Sequence, residues 1–515
     1  MTRVRTYALA SLAGVALACA GPPLDLYPTA WLAMAALAWL LEGGSVSPAR
    51  PSRVRVGLTG ALRGLAFGVG ANLVLMRFLP ATIARFTPLP WIAGVVALVL
   101  LAAFEGLRWA VAAVACETLV RARVPRPLAF AAGVYAGAFV PTMMPWTAAD
   151  VLSPWPAMVQ LADIVGARGV AALLALSAGL LASGLRSVIA VSTRRRGLAM
   201  LAGAIALVAA QVGVGVARMS AVERDRAAAP HVSVALLQPG IGATTRWDET
   251  RAPSLLEGLA TLTRHAATHG ADLVVWPETA YPYAMPHGSR VLYDASHAIV
   301  PAGVRVPVLT GAVLTGATDG SSYNSALVAT SDGALSESYD KRHLMWFGET
   351  VPLADRLPWM RRVFARGLGL AAGDRSVALQ AGKVRASVLV CYEDMLPEAG
   401  REAMEVAPNL LVNITNDAWF AGSFESEQHL RVAVLRAVET RRDLVRAVNL
   451  GPTSLVDAAG RIVARAPVDL PAPLLTTPAL LDGPPTLYAR FGDAPWALLL
   501  LVLANVAVWR AARRA

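Results

Sequence analysis

The segment GLAMLAGAIALVAAQVGVGVA at residues 197–217 decides the fold of this chain. It contains no charged side chain, and it has about the 20 residues that an α-helix needs to cross the hydrocarbon core of a bilayer. From residue 218 onward the pattern changes to short β-rich runs separated by Gly and Pro turns. The sequence therefore predicts a membrane part before residue 218 and a separately folded domain after it.

The composition of the whole chain agrees with a membrane protein. Of its 515 residues 56% are hydrophobic and 16% are charged, and the mean hydropathy is +0.51. These values exclude an ordinary soluble protein and a disordered chain. The three cysteines, Cys19, Cys116 and Cys391, are too few for a disulfide scaffold.

Windows of about 20 residues predict eight membrane spans. The first can also be read as a cleaved signal peptide, but the seven further spans favour its retention as a membrane helix. The fourth is long and contains Glu105 and Arg108, predicted to form an internal ion pair, so it is either one helix or two. The predicted spans are residues 7–21, 25–42, 59–80, 90–121, 127–147, 168–190, 197–217 and 494–511.

The distribution of charge predicts the orientation of these spans. Residues 218–492 carry a net charge of −2, so the remainder of the chain carries +13. Its arginines fall in alternate loops, which places both termini in the cytoplasm and residues 218–492 outside. Splitting the fourth span would destroy this alternation, which favours one helix. Since the basic groups lie in short loops beside the membrane, they indicate orientation and anionic lipid, and nucleic acid is not an expected partner.

We therefore predict three segments: a membrane domain at 1–217 with seven helices, an extracytoplasmic domain at 218–492, and a C-terminal helix with a basic tail at 493–515. The second segment is predicted to be an α/β layered domain, because its unbroken apolar runs are typical of strands buried on both faces. Helical patterns occupy 251–269 and 424–442, and DAAGR at 457–461 predicts a hairpin turn. The predicted strands are residues 232–238, 271–278, 306–314, 324–330, 386–394, 409–417 and 443–449.

Three reactive groups follow predicted strands, namely Glu278, Lys341 and Cys391. A thiol is only slightly ionised at neutral pH, so its use as a nucleophile needs a nearby base or positive charge, which Glu278 and Lys341 can provide. Taken singly, a cysteine at such a position is more often a small core residue than a nucleophile, and a glutamate or lysine is more often a solvated surface residue. Lys341 is nevertheless informative, because Lys341 and Lys383 are the only lysines among 46 basic residues. A lysine in a chain that otherwise uses arginine suggests a compact positive charge for an oxyanion.

Other chemistries lack their sequence patterns. Zinc-binding cysteine pairs, HExxH, the phosphate-binding GxxxxGK[ST] loop and the GxSxG elbow are all missing from the sequence. His343 and His429 lie near the reactive groups, so a Cys/His dyad stays open as an alternative. Neither a metal nor a cofactor is predicted.

Four motifs in order resemble those of the nitrilase superfamily: WPET with Glu278, YDKRHLMWFGE with Lys341 and Glu349, VLVCYED with Cys391, and NITNDAWF. Within that superfamily, an outer domain held between seven preceding spans and one following span resembles the apolipoprotein N-acyltransferase family over essentially the whole chain. The resemblance implies a nitrilase-like domain with a Glu278, Lys341 and Cys391 catalytic triad, on the periplasmic side of a bacterial inner membrane.

The resemblance also implies the reaction. A phospholipid would give an acyl chain to the Cys391 sulfur, and the α-amino group of an S-diacylglyceryl cysteine on an apolipoprotein would then take it. By motif matching, Glu349 and Glu393 resemble the supporting carboxylates of the family, and Trp247 and Tyr392 resemble its substrate-binding aromatics. Residues 353–372 are apolar with interspersed arginines, which suggests a lid at the membrane interface.

The chain departs from the family pattern at three places. Trp346 stands where the family commonly has proline, Leu450 stands in NLG where the family commonly has a second asparagine, and QPGIG at 238–242 lacks the usual asparagine. These departures affect the preference for acyl chain or acceptor more than the triad. Two other functions remain open. One is an amidase, or an acyltransferase with another acceptor. The other is an inactive scaffold, and the intact triad argues against it because a scaffold has no need of these three residues.

Overall fold

The structure is a computed structural model of the 515-residue chain. It describes residues 3–42, 53–243, 245, 248–292, 294–316, 320–351, 356–357, 359–360, 369–468 and 470–512. The chain divides into two compact units, one formed by Met1–Ala217 and Phe491–Ala515 and the other by Arg218–Arg490.

The regular elements that the structure describes in the first unit are helices. Gly57–Leu75, Trp91–Arg121, Ala162–Ile189 and Arg194–Ala228 are long and apolar enough to cross a membrane. Its helices are α1 (Arg3–Ala18), α2 (Pro28–Glu42), α3 (Arg53–Leu75), α4 (Leu79–Phe86), α5 (Trp91–Arg121), α6 (Arg126–Gly137), α7 (Pro156–Val159), α8 (Ala162–Ile189), α9 (Arg194–Ala228, which continues into the second unit) and α14 (Ala494–Ala512).

The predicted spans have different outcomes. The fourth is one continuous helix, α5, as the charge pattern favoured. The span predicted over 127–147 is wrong beyond Gly137, because only Arg126–Gly137 is helical and the apolar residues after it form turns and loops. The first, second and eighth spans correspond to shorter apolar helices, so a total of eight spans stays a prediction.

Close approach at small residues and buried ion pairs such as Glu105–Arg108 stabilise this unit. A Cβ on Gly14 would lie 1.9 Å from the Phe67 carbonyl oxygen, so α1 and α3 approach too closely for any larger residue. In α5, Arg108 donates to the Glu105 carboxylate, which confirms the predicted pair. Glu105 also accepts the Met143 backbone N–H at 2.7 Å, which fixes the loop after α6.

The second unit is built on two sheets packed face to face. One has the order β13-β1-β2-β4-β5-β6, with β3 paired to β4, and the other has the order β12-β11-β10-β9-β8-β7. The strands are β1 (Val234–Gln238), β2 (Leu273–Val275), β3 (Met285–Pro286), β4 (Val308–Thr315), β5 (Ser322–Ala329), β6 (Tyr339–Asp340), β7 (Ala378–Ala381), β8 (Val384–Val390), β9 (Leu410–Asn416), β10 (Leu444–Asn449), β11 (Ser454–Val456), β12 (Ile462–Arg465) and β13 (Ala472–Thr476).

Helices cover the outer faces of both sheets. The helices of this unit are α10 (Ala252–Thr268), α11 (Pro397–Ala403), α12 (Glu425–Thr440) and α13 (Leu487–Phe491). Helix α10 packs on the first sheet through Leu256 and Leu259, whereas α12 packs on the second through Leu430 and Val434. Val388 of β8 belongs to the core between the sheets.

The α/β prediction is confirmed for this unit. All seven predicted strands, both predicted helices and the hairpin between β11 and β12 are present. Strands β1, β2 and β4 are parallel in the first sheet, and β8, β9 and β10 are parallel in the second. Parallel neighbours end at the same edge of a sheet, and the candidate site lies at such ends.

Candidate active site

Glu278, Lys341 and Cys391 each follow the end of a strand in the second unit. Glu278 lies three residues after β2, Lys341 directly follows β6 and Cys391 directly follows β8. Cys391 has a φ of 51°, in the left-handed region that residues other than glycine rarely adopt. Such strain costs on the order of 1–3 kcal/mol and is typical of functional sites. Here it marks the sharp turn from β8 into the 3₁₀ helix Cys391–Met395.

The ammonium of Lys341 is held by two carboxylates. Its Nζ lies 2.8 Å from Glu349 Oε1, 2.7 Å from Glu349 Oε2 and 3.7 Å from Glu278 Oε1. The lysine side chain is 1% exposed, so water cannot compete for these contacts. The geometry brings a buried positive charge next to the carboxylate that the sequence singled out as a base.

The Cys391 thiol completes the group. The Glu278 carboxyl group and the Lys341 ammonium both act on the pKa of this thiol, Glu278 raising it and Lys341 lowering it. The three side chains come from segments 50 or more residues apart in sequence. The structure therefore brings together all three members of the predicted triad.

The charges of these groups follow from burial and from one another. Burial raises the pKa of the Cys391 thiol, and Glu278 raises it further, while Lys341 opposes both. Burial also raises the pKa of Glu278. For Lys341, burial alone would lower the pKa, but the carboxylates of Glu349 and Glu278 outweigh it and raise the pKa. The resting site thus holds a neutral thiol, a carboxyl group suited to accept a proton, and a permanent ammonium.

Comparison with known proteins identifies the family to which this chain is similar. Residues 13–180 match the apolipoprotein N-acyltransferase N-terminal domain, and residues 233–469 match the carbon-nitrogen hydrolase family. The chain is 32% identical over 509 residues to the apolipoprotein N-acyltransferase of Geobacter metallireducens, covering 96% of this chain and 93% of that protein. The chain belongs to the apolipoprotein N-acyltransferase family.

Two further members show the same extent of similarity. The apolipoprotein N-acyltransferase of Brucella melitensis is 30% identical over 488 residues, covering 89% of this chain and 87% of that protein. The one of Bradyrhizobium diazoefficiens is 28% identical over 533 residues, covering 98% of this chain and 94% of that protein. The similarity therefore includes the helical first unit as well as the second unit.

Glu393 connects the turn at Cys391 to the segment that follows Lys341. Its carboxylate accepts the backbone N–H of Arg342 at 2.8 Å, that of His343 at 3.1 Å and that of Val390 at 2.8 Å. It is fully buried, and burial raises its pKa although these N–H donors oppose the rise. Glu393 thus holds the segment after Lys341 against the residue that precedes Cys391.

The remaining predicted residues have mixed outcomes. Glu349 binds Lys341, as described, and also accepts the Met345 N–H at 2.8 Å. Tyr392 is half-buried beside Cys391. Trp247 lies outside the described residues, and so does most of the predicted lid at 353–372, of which Trp359 is described and exposed.

Sequence reasoning missed the residue that joins two of the carboxylates. Asn324, at the third position of β5, donates its Nδ2 to Glu278 Oε1 at 2.7 Å and to Glu349 Oε1 at 3.0 Å. It is buried, and its backbone oxygen accepts the Lys341 N–H at 2.8 Å. The available signal was an amide at the start of the otherwise apolar run NSALVAT, which a half-buried strand also explains.

The two histidines near the reactive groups have carboxylate partners. His343 Nε2 lies 2.8 Å from Glu402, and His429 lies between Asp394 and Asp417. A Cys/His dyad is therefore not the arrangement in this structure. Within the described part of the chain, Asp417, Glu425 and His429 also have the spacing of a metal-ligand group.

One departure from the family pattern has a structural consequence. Leu450 follows β10 with a φ of 54°. Asparagine tolerates this left-handed conformation better than leucine does, because its short polar side chain can bond locally to the backbone. Leu450 is thus strained where the family commonly has asparagine.

Proposed function

We propose that this chain transfers an acyl chain from a phospholipid, through a thioester on Cys391, to the α-amino group of the N-terminal S-diacylglyceryl cysteine of apolipoproteins. One observation carries the proposal: a thiol, a carboxyl group and a buried ammonium meet in a chain similar over nearly its whole length to an apolipoprotein N-acyltransferase. A scaffold without catalysis would have no need to bury Lys341 between two carboxylates.

In the first step the Cys391 sulfur attacks the ester carbonyl of the phospholipid. Glu278 accepts the thiol proton as the carbon–sulfur bond forms, because its carboxyl group is the charged group that acts most strongly on this thiol. Lys341 and the backbone N–H of Tyr392 stabilise the oxyanion. When the carbon–oxygen bond of the ester breaks, Glu278 returns the proton to the departing alcohol of the lysophospholipid, and the acyl chain remains on sulfur.

In the second step the neutral α-amine of the acceptor attacks the thioester carbonyl. Glu278 accepts a proton from the amine, and the carbon–sulfur bond then breaks. The proton passes to the departing sulfur, which restores the Cys391 thiol and leaves an amide on the acceptor. Both steps use the same base and the same oxyanion contacts, so donor and acceptor bind in turn.

The charge pattern supports an inner-membrane location with both termini in the cytoplasm and the second unit in the periplasm. The test is a set of alkaline phosphatase fusions, since this enzyme is active only outside the cytoplasm. A fusion after residue 230 is expected to be active and one at residue 515 inactive. The reverse result would contradict the orientation.

The reaction is tested by mass spectrometry of a lipoprotein N-terminus in cells that depend on this chain. Wild type is expected to add a third acyl chain, and Cys391→Ser is expected to add none. A matched control carries Cys19→Ser and Cys116→Ser, which remove the other two thiols, and should act like wild type.

Mass spectrometry of the purified chain distinguishes formation of the acyl-enzyme from transfer of the acyl chain to the acceptor. With phospholipid alone, the intact mass should increase by one acyl group in wild type and stay unchanged in Cys391→Ser. An adduct without transfer to the diacylated lipoprotein would indicate another acceptor, such as water or a different amine. A third acyl chain in both wild type and Cys391→Ser would defeat the proposal.

A further inference from the structure

A cluster of five ionisable side chains lies directly behind the turn at Cys391, and the proposed reaction uses none of them. They come from the 3₁₀ helix that begins at Cys391, from the turn after β9, from α12 and from β10. Each is at most 2% exposed. The members of this buried charge cluster are Asp394, Asp417, Glu425, His429 and Arg446.

His429 is the centre of the cluster. Its Nε2 lies 2.6 Å from Asp394 Oδ1, and its Nδ1 lies 3.2 Å from Asp417 Oδ1. Arg446 Nε binds the other oxygen of Asp394 at 2.9 Å. A ring that faces a carboxylate on both sides must donate from both nitrogens, so it is an imidazolium. Burial alone would lower the pKa of His429, but the two carboxylates raise it to about 10.

The charges of the cluster then balance without a metal. Burial and the neighbouring Asp417 raise the pKa of Glu425 to about 8, which favours its neutral form. Two cations, His429 and Arg446, face two anions, Asp394 and Asp417. The ligand atoms of Asp417, Glu425 and His429 lie within 4.8 Å of one another, yet a metal would need a free lone pair on the ring. The imidazolium takes the place that such an ion would have.

The cluster is connected to the nucleophile in two ways. Asp394 belongs to the same 3₁₀ helix as Cys391, so its bond to His429 fixes that turn. Asp417 follows β9, the parallel neighbour of β8, and its negative charge acts on the Cys391 thiol. The other charged groups that act on this thiol are Glu278 and Lys341.

We propose that His429 is a positioning residue whose imidazolium holds the Cys391 turn against the Asp417 turn and compensates the Asp417 charge that faces the thiol. The inference rests on the proposed role of Cys391 as nucleophile. Loss of the imidazolium would expose the thiol to an uncompensated anion, which disfavours the thiolate. Loss of the Asp417 charge would do the opposite.

The test measures the reactivity of Cys391 directly, without either lipid substrate. The full-length chain with Cys19→Ala and Cys116→Ala keeps one thiol, and intact mass follows its alkylation by iodoacetamide against pH. His429→Gln, which keeps a polar side chain but no charge, is expected to move the profile up by about one pH unit, a roughly tenfold lower rate below the thiol pKa. His297→Gln removes an exposed histidine paired with Asp294 and serves as the matched control.

Two further variants separate charge from packing. Asp417→Asn alone is expected to move the alkylation profile to lower pH, and His429→Gln combined with Asp417→Asn is expected to bring it back toward wild type. A merely structural role would slow alkylation in every variant without such rescue. Should His429→Gln fail to fold, Asp417→Asn alone still shows whether the Asp417 charge moves the alkylation profile to higher pH.

Three results would overturn the inference: an unchanged profile in His429→Gln, a double variant no better than the single one, or stoichiometric metal that purified wild type contains and His429→Gln loses. These results are distinct from failure of the proposed function, because alkylation needs neither phospholipid nor acceptor. Acyl transfer that persists in Cys391→Ser would instead defeat the proposed function itself.

Discussion

Replacing Glu349 by glutamine tests how the candidate site sets the strength of its base. Asn324 Nδ2 binds Glu278 Oε1 at 2.7 Å and Glu349 Oε1 at 3.0 Å, so these two oxygens are less than about 6 Å apart. At an effective dielectric constant near 20, two charges at this distance interact by about 3 kcal/mol, or roughly two pKa units. The negative charge of Glu349 raises the pKa of Glu278, although burial is the larger cause.

Glu349→Gln removes this repulsion and leaves Glu278 alone with the Lys341 ammonium, which lowers the pKa of Glu278. The acid limb of the pH–rate profile for acyl-enzyme formation is expected to move down by about one to two pH units. A weaker base should also reduce the maximal rate, by roughly three- to tenfold at a Brønsted slope near one half. Glutamine has nearly the same shape, but its single oxygen can keep only one of the two contacts that Glu349 accepts from Asn324 and from the Met345 N–H, so Tm is measured beside the rate.

The assay is the rate of acyl-adduct formation on Cys391 with phospholipid alone, followed by intact mass between pH 4 and 9. Glu257→Gln is the control, because Glu257 is an exposed glutamate on α10 in the same unit. An acid limb that stays in place, or that moves to higher pH, would refute the assignment of Glu278 as the titrating base beside Glu349.

Three further substitutions test the support around the site. Leu450→Asn should relieve the left-handed strain and stabilise the protein by about 1 kcal/mol, seen as a higher Tm, whereas Leu450→Ala should not. Arg226→Met removes the side chain that donates two hydrogen bonds to the buried Asp443 carboxylate, so the free energy of unfolding, measured with denaturant, should fall by about 3–5 kcal/mol. Glu393→Gln places an amide donor against a backbone N–H, so the free energy of unfolding should fall by about 1–3 kcal/mol, measured as a lower Tm. The same variant should form the acyl adduct more slowly. An unchanged adduct rate would contradict the role of Glu393 beside Val390.

Much of the fold could be predicted from the order of residues. Strands buried on both faces are unbroken apolar runs, which is why β8, β9 and β10 were visible in the sequence. The two-residue strands β3 and β6 were not, because two residues show no periodicity. Hydropathy also placed a span over 127–147, since an apolar loop and an apolar helix have the same composition.

The sequence by itself determined which chemical groups this protein has: one thiol, one carboxylate and one rare lysine at strand ends, in a chain with long apolar helices. Only the tertiary structure decided their partners. Asn324 binds Glu278, which precedes it in the sequence, and Glu349, which follows it, and each is at least 25 residues away. His429 binds Asp394, which is 35 residues away. The physical reason is that charge interaction depends on distance and burial in space, and neither is a property of spacing along the chain.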